Sequence, residues 1–525
     1  MAQIRTLKIT ALLLVPLLCL GLLTGCGGDT LIVRYAVEGN IGTIDPQFAQ
    51  NSTSALVAAN VFEPLLVEDP DGGLHPGVAE SYTVSADGRT YTFSLREDAC
   101  WSDGSGVTAG DFVFALQRMF QSGSISPYAE NFSSVRNAGA ILSGEREPSS
   151  LGVRAVDEHT LVVELEQPDS SILSVLAQWY SAPCKQSFFE EQKGKYGLGL
   201  ENTLYNGPYV VSRLESGSEV RLRQNPNYHS EQPALLYGVN ITLNTDDPAA
   251  AFAQGENDLY QLPEGTETRP EGANLVSFGD TTYLLVLNTG SSLLGEDTIR
   301  LALCAAIDRE AVAAVLEGGR SATRNIVPEA AVLRSAGYRE TVGDLAGLSL
   351  SDPRTTFREA LASVGETKLP FTELLVPDTT VERRAAGIIQ GCWQNTLGAS
   401  INVMPQEQQE LMQRVTAGDY DIALIPVAAG GSPLELLERF APETDQYSTG
   451  WQSEEYAQAL DAAAAESDSA RLAARVYAAE QLLADSGVVF PLYGSMSHYA
   501  VSDRLTDVWI YGANGLVYFK YTSEI

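Results

Sequence analysis

The sequence predicts an α/β protein of more than one domain, and three observations lead there. The chain has 525 residues, more than one hydrophobic core usually spans. Period-two apolar runs of strand type alternate with capped amphipathic helices along its length. Its hydrophobic content of 44% is that of a globular chain, and no low-complexity tract interrupts it.

In chain order, Arg5 and Lys8 precede an uncharged apolar run from Ile9 to Leu23, which reads as an export signal rather than part of the fold. The run contains Pro16, is shorter than the roughly 20 residues of a spanning helix, and is followed by small residues and a cysteine. Leu23-Thr24-Gly25-Cys26 resembles the bacterial lipobox, so residues 1–25 are expected to be a lipoprotein signal peptide and Cys26 the lipidated first residue. Two or three acyl chains, at roughly 0.8 kcal/mol per buried methylene, hold a soluble domain at a membrane. A plain secretory peptide with a chance cysteine is the alternative.

Leu31–Val37 is an apolar run of strand type. Tyr91, Phe93 and Leu95, and then Leu161, Val163 and Leu165, alternate with other residues as half-buried strands do. Between them Thr108, with Asp111 three residues on, caps a helix whose Phe112, Leu116 and Phe120 share a face. Val210–Leu214 and Val220–Arg223 flank a Gly217 turn as a hairpin. In the second half, helices are predicted over 299–316, 381–397 and 470–484, each followed by glycine, with buried strands at 421–427 and 488–493.

Charge and chemistry exclude several classes. Without residues 1–25 the chain keeps 31 of its 33 basic residues against 67 acids, a net charge of −36, so it repels phosphate backbones and no nucleic-acid partner is expected. His75, His159, His229 and His498 are isolated, no CxxC or HExxH occurs, and neither a metal nor a cofactor is expected. No GxSxG elbow or phosphate loop is present, so no catalytic residue is assigned. Cys100, Cys184, Cys304 and Cys392 are either buried free thiols or disulfides, with Cys304–Cys392 and Cys100–Cys184 the pairs to test first.

Several ordered segments resemble the oligopeptide/dipeptide-binding family of extracytoplasmic solute-binding proteins (the peptide/nickel/opine class of ABC transporter receptors). They are TIDP at 43–46, NVFEPLL at 60–66, PGVAES at 76–81, DGRTYTFSLR at 87–96, WSDG at 101–104 and TAGDF at 108–112. NGPY at 206–209, NPNY at 225–228, RLALCAAIDR at 300–309 and PLY at 491–493 follow. Each alone is ordinary turn or cap chemistry; their order is the signal.

The resemblance implies an α/β, bilobed periplasmic-binding-protein-like fold with an extra domain inserted in the first lobe, closing on its ligand by a hinge. The first lobe is expected at 29–70, 184–270 and 490–525, the inserted domain at 71–183 and the second lobe at 271–489, with crossings near 282–289 and 484–491. It also implies a non-enzymatic, monomeric receptor whose partners are a peptide or other small solute, the permease subunits of an ABC importer, and a membrane reached through lipid on Cys26. The ligand-binding residues carried over are Gln50, Asn51, Tyr128, Tyr283, Asn288, Gly430, Gly431, Ser432 and Ser495. Peptide receptors of the family place an acid near Ala429. Here Ala428, Ala429 and Gly430 are neutral, so either another acid such as Glu435 substitutes or the ligand is not an ordinary free-amine peptide. A surface hydrolase with a carboxylate pair and a ligand sensor on the same fold are the alternatives.

Overall fold

The computed structural model describes residues 31–525 except 216, 230–232, 264, 292, 334–335, 431 and 467. The signal segment and Cys26 therefore lie outside the described residues.

One mixed sheet of eleven strands runs through the molecule in the order Asn402–Gln406, Glu373–Pro377, Ile422–Ala428, Ala273–Leu287, Val489–Ser502, Leu259–Gln261, Ile32–Val37, Gly238–Leu243, Glu219–Gln224 and Tyr209–Glu215, with Ser321–Ala322 paired beside Val489–Ser502. The two long central strands belong to both halves. Ala273–Phe278 pairs with Ser497–Ser502 in the first body, while Thr281–Leu287 pairs with Ile422–Ala428 and with Val489–Ser495 in the second. A register shift between Phe278 and Thr281 separates these stretches, as a bulge does when it bends and twists a ladder. The Phe278–Thr281 shift falls before the expected crossing at 282–289 and its partner stretch after 484–491, while a second shift, between Tyr283 and Leu284, falls inside 282–289. Residues 484–485 end helix Ser469–Asp485, and strand Val489–Ser502 begins at 489.

Each body has its own core. Val33, Tyr35, Phe62 and Phe93 pack with Tyr209, Val239 and Phe519 in one. Ile425, Tyr456 and Val476 anchor one layer of the other, and Leu303, Trp393 and Leu492 its second. A separate four-stranded sheet, Ala79–Val84, Thr90–Leu95, Thr160–Glu164 and Val153–Asp157, lies within residues 71–183.

The signature segments turn out to be scaffolding. Asp45 of TIDP accepts the Gln47 amide, the expected turn bond, and also forms a buried ion pair with Arg118 (2.5 Å). Glu63 of NVFEPLL is fully buried and accepts hydrogen bonds from Tyr228 of NPNY and from His229 Nε2 (2.5 Å). Lys520 lies 3.6 Å from the same carboxylate, and these partners hold the Glu63 carboxyl below its ordinary range even though burial opposes them. Asn206 of NGPY grips both backbone groups of Glu63. Asp111 of TAGDF accepts from Thr108 N (2.9 Å) and Oγ1 (3.1 Å), closing the predicted cap, and from Trp101 Nε1.

Two local expectations change. The 299–316 segment is two helices, Asp297–Ala305 and Arg309–Ala313. Asp308 breaks it because its carboxylate accepts the Ala311 amide and starts a new helix. The four described cysteines are free thiols, which removes both disulfide pairs. Burial pushes the Cys184 and Cys304 thiols up to about 12. The helices Thr380–Leu397 and Ser469–Asp485 form as read, the first ending on Gly398 in the left-handed region (φ 72°).

Candidate functional site

A cavity of about 540 Å³ opens between the two bodies, within the range typical of small-ligand sites. One wall comes from the start of helix Ser52–Val61, the end of strand Leu66–Glu68, the aromatic residues Tyr128, Trp179 and Tyr180, and the loop at 511–516. The other wall comes from Val332, Leu333, Gly430 and Ser432, and from Glu435 and Arg439 at either end of a helical turn.

The aromatic wall is built by stapling. Tyr128 stacks on Tyr180 with ring centroids 4.4 Å apart and planes 3° apart, and Trp179 meets both edge-on. The Tyr128 hydroxyl donates to the Ala49 carbonyl, and burial pushes that hydroxyl up to about 12. Gln47 Nε2 donates to the carbonyls of Tyr180 and Ala182, both at 2.9 Å. The Asp45–Arg118 pair ties the same strip of chain to helix Ala109–Arg118. Position 50 is thereby held against the aromatic cluster.

The opposite wall follows from a capping sequence. Ser432 caps helix Pro433–Glu438 with Pro433 in its first turn. The Ser432 amide donates to Glu435 Oε2 (3.0 Å) and the Glu435 amide to Ser432 Oγ (3.2 Å), a complete capping box. Just before it, the Ala429 amide donates to the Asp280 carbonyl (2.8 Å), tying the end of strand Ile422–Ala428 to the crossing.

The cavity is acidic. Burial and then the neighbouring Asp69 push the Glu68 carboxyl up to about 8. Burial also raises Glu435 and, together with Glu435, lifts Glu438 to about 7. Among the described residues that line the cavity, Arg439 is the single basic one.

A second cavity of about 270 Å³ lies where the long strands cross, lined by Gln261, Asp280, Thr281, Tyr283, Ser495 and His498 among others. Tyr283 stacks there on Tyr493, centroids 4.6 Å apart.

The expected ligand residues therefore divide. Gln50, Tyr128, Gly430 and Ser432 line the first cavity, and Tyr283 and Ser495 the second. Asn51 lines neither: its Oδ1 accepts the Ser54 amide (2.8 Å) and caps helix Ser52–Val61. Asn288 lines neither cavity and is bonded as a strut. It is buried, its Nδ2 donates to the carbonyls of Gly418 (3.1 Å) and Tyr420 (3.0 Å), and its Oδ1 accepts the Gly290 amide. Gly431 lies outside the described residues.

Glu68, Asp169, Trp179 and Tyr180 line the cavity without having been singled out. The one signal for Glu68 is an acid placed directly after the apolar run Leu65–Val67; Trp179 and Tyr180 read as core. Among the described residues no group of three histidine, cysteine, aspartate or glutamate side chains could hold a metal.

The sequence profile of the bacterial extracellular solute-binding proteins, family 5 (middle), matches residues 73–448. The probable deoxycholate-binding periplasmic protein YgiS of Escherichia coli (strain K12) is 25% identical over 475 residues, 88% of this chain and 88% of its own. The oligopeptide-binding protein OppA of Bacillus subtilis (strain 168) is 25% identical over 510 residues, 94% and 92% of the two chains. The murein tripeptide binding protein MppA of Escherichia coli shares the fold, with a TM-score of 0.73 over 95% of this chain and 99% of its own at 22% identity. Bilobed architecture, inter-body cavity and profile agree on a binding protein rather than an enzyme. The chain belongs to family 5 of the bacterial extracellular solute-binding proteins.

Proposed function

We propose that this protein captures a peptide-like or other small solute between its lobes and delivers it to the permease subunits of an ABC importer, held at the membrane by lipid on Cys26. The observation that carries the reading is the cavity of about 540 Å³ lined from both bodies, because a ligand touching both walls stabilises the closed form over the open one. Two polypeptide strands cross at the hinge, which suits a rigid-body rotation. The relatives named for oligopeptides and for deoxycholate span the solutes to be tried. The proposal keeps the division into a first lobe at 29–70, 184–270 and 490–525, an insert at 71–183 and a second lobe at 271–489, except that the long strands Ala273–Leu287 and Val489–Ser502 are shared between the lobes.

Native mass spectrometry of protein purified without added ligand tests it directly. A retained solute is expected, with its occupancy lost in Tyr128→Ala. Import of that solute should cease in a deletion strain and return with the wild-type gene. Protein that retains nothing, binds nothing from a peptide and bile-acid panel, and whose deletion leaves uptake unchanged would end the receptor reading. Mass spectrometry of the mature N-terminus checks the anchor separately: an unmodified Cys26 in membrane extracts removes it.

A further inference from the structure

We propose that the solute is an organic cation whose charged nitrogen sits between Glu68 and Glu435, one carboxylate from each wall of the cavity, beside the Tyr128–Tyr180 stack. The inference rests on the receptor reading and specifies the substrate class of the same site.

The other acids on these walls are already committed. Glu466 pairs with Arg471 (3.2 Å) and Arg475 (3.1 Å). Asp69 accepts the amides of Asp71 and Gly73 and faces His75 at 2.7 Å. Asp169 accepts the amide and hydroxyl of Ser171. Glu68 and Glu435, by contrast, form no ion pair with the described residues. Gln178 Nε2 (3.1 Å) donates to Glu68, with Ser174 also beside it, and the Ser432 amide donates to Glu435. These are neutral donors. A carboxylate taken out of water without a counter-charge is costly, and burial raises both carboxyls.

Glu68, Glu435 and Tyr180 line the same cavity. Burial raises the Tyr180 hydroxyl, and Glu435 and Glu68 each raise it further, so an acid from each body lies within electrostatic reach of a single phenol. That ring stacks on Tyr128 with Trp179 at its edge. Aromatic faces flanked by acids are the arrangement that attracts ammonium and guanidinium groups, through ring quadrupole and ion pairing together. Asp69 acts on Glu68 from beside it. On Glu435, Asp169 acts from across the cavity and Arg439 from one turn along, and Glu435 in turn acts on Glu438. Among the described residues of this set Arg439 is the only positive charge, so a bound cation would meet a surplus of acid from Glu68, Glu435 and Glu438. It would displace the proton held on Glu68, making binding and proton release one event.

Calorimetry tests this with short peptide amides and linear polyamines, each against its N-acetylated form, together with deoxycholate, on wild type, Glu68→Gln, Glu435→Gln and the double variant. Glutamine retains an acceptor for the Ser432 amide, and melting curves check that each variant is folded. Free amines should bind at least about 30-fold tighter than their acetylated partners, the low end of what losing one partner of a buried charge pair costs. That ratio should collapse towards one in the double variant. Titrations at pH 7 in buffers of different ionisation enthalpy should show protons released on binding to wild type. Acetylated amides or deoxycholate binding as tightly as free amines would overturn the cation assignment while leaving the receptor standing, as would a ratio that survives both substitutions. A panel from which nothing binds overturns the cation assignment, and the receptor reading falls with it only if the purified protein also retains no solute and deletion leaves uptake unchanged.

Discussion

Glu480→Ala should cost about 4 kcal/mol of stability and loosen one wall of the cavity. Glu480 sits fully buried on helix Ser469–Asp485. Its Oε1 accepts the amides of Ile326 and Val327, both at 2.9 Å, and its Oε2 accepts from Tyr338 OH (3.0 Å) and from the buried Arg339 guanidinium. One carboxylate thus organises the segment that carries Val332 and Leu333 to the cavity. Alanine strands a buried charge, worth roughly 3–5 kcal/mol when one partner of such a pair is removed. It also leaves two amides unsatisfied, at roughly 1–3 kcal/mol each. These penalties overlap because water can enter the vacated space, so about 4 kcal/mol is the expected total, against the roughly 5–15 kcal/mol that holds a domain folded. Glutamine keeps an acceptor for the two amides and should lose about half as much. Urea denaturation followed by tryptophan fluorescence gives the size, and amide exchange at Ile326 and Val327 gives the location. A loss below about 1 kcal/mol, or unchanged protection at those two amides, would refute the assignment of this carboxylate as the organiser of the segment.

Two further outcomes can be measured. Glu68 has an ordinary value of 4.5 and titrates near 8 in the folded protein, so the native state holds a proton that the unfolded chain has released. Its favourable contribution is complete below 4.5 and is lost as pH rises through about 8. Glu68→Gln should therefore gain on wild type in thermal midpoint between pH 6 and pH 9, and a gap that narrows over that range contradicts the assignment. With four free thiols in the body, dithiothreitol should leave the melting temperature unchanged, and Cys184 and Cys304 should react with a thiol reagent only after unfolding. Fast native labelling of either would show that its surroundings open.

What the sequence reveals of this protein is set by how local the chemistry is. The cap at Thr108, the Gly398 terminus and the hairpin of Tyr209–Glu215 with Glu219–Gln224 are decided within a few residues, and they form as read. The division of 299–316 was also legible, since Asp308 is a good helix start, but apolar periodicity ran across it. Strand Val489–Ser502 extends well beyond 493. Its polar stretch Ser495–His498 lacks a strand pattern and takes that form because Ala273–Leu287 runs alongside. The site follows the same rule. Gln50 and Tyr128 could be placed by their neighbours in recognisable segments. Glu68 and Tyr180 acquire meaning only through residues hundreds of positions away, and Asn288 has the composition of a ligand contact but the bonding of a turn strut.

The route of the chain through the first body bears on how that body forms. Asn60 donates to the Val517 carbonyl and accepts the Phe519 amide, and Tyr35 lies edge-on to Phe519. The first core is therefore closed by contacts that span 457 and 459 residues of chain. Pairings of such long sequence separation are slow, because loop entropy is lost before the contact is gained. A growing polypeptide of this kind cannot complete its N-terminal half early. It stays open and threadable until residues 517–519 have been made, and deleting residues 516–525 should abolish the folding of the half that was made first.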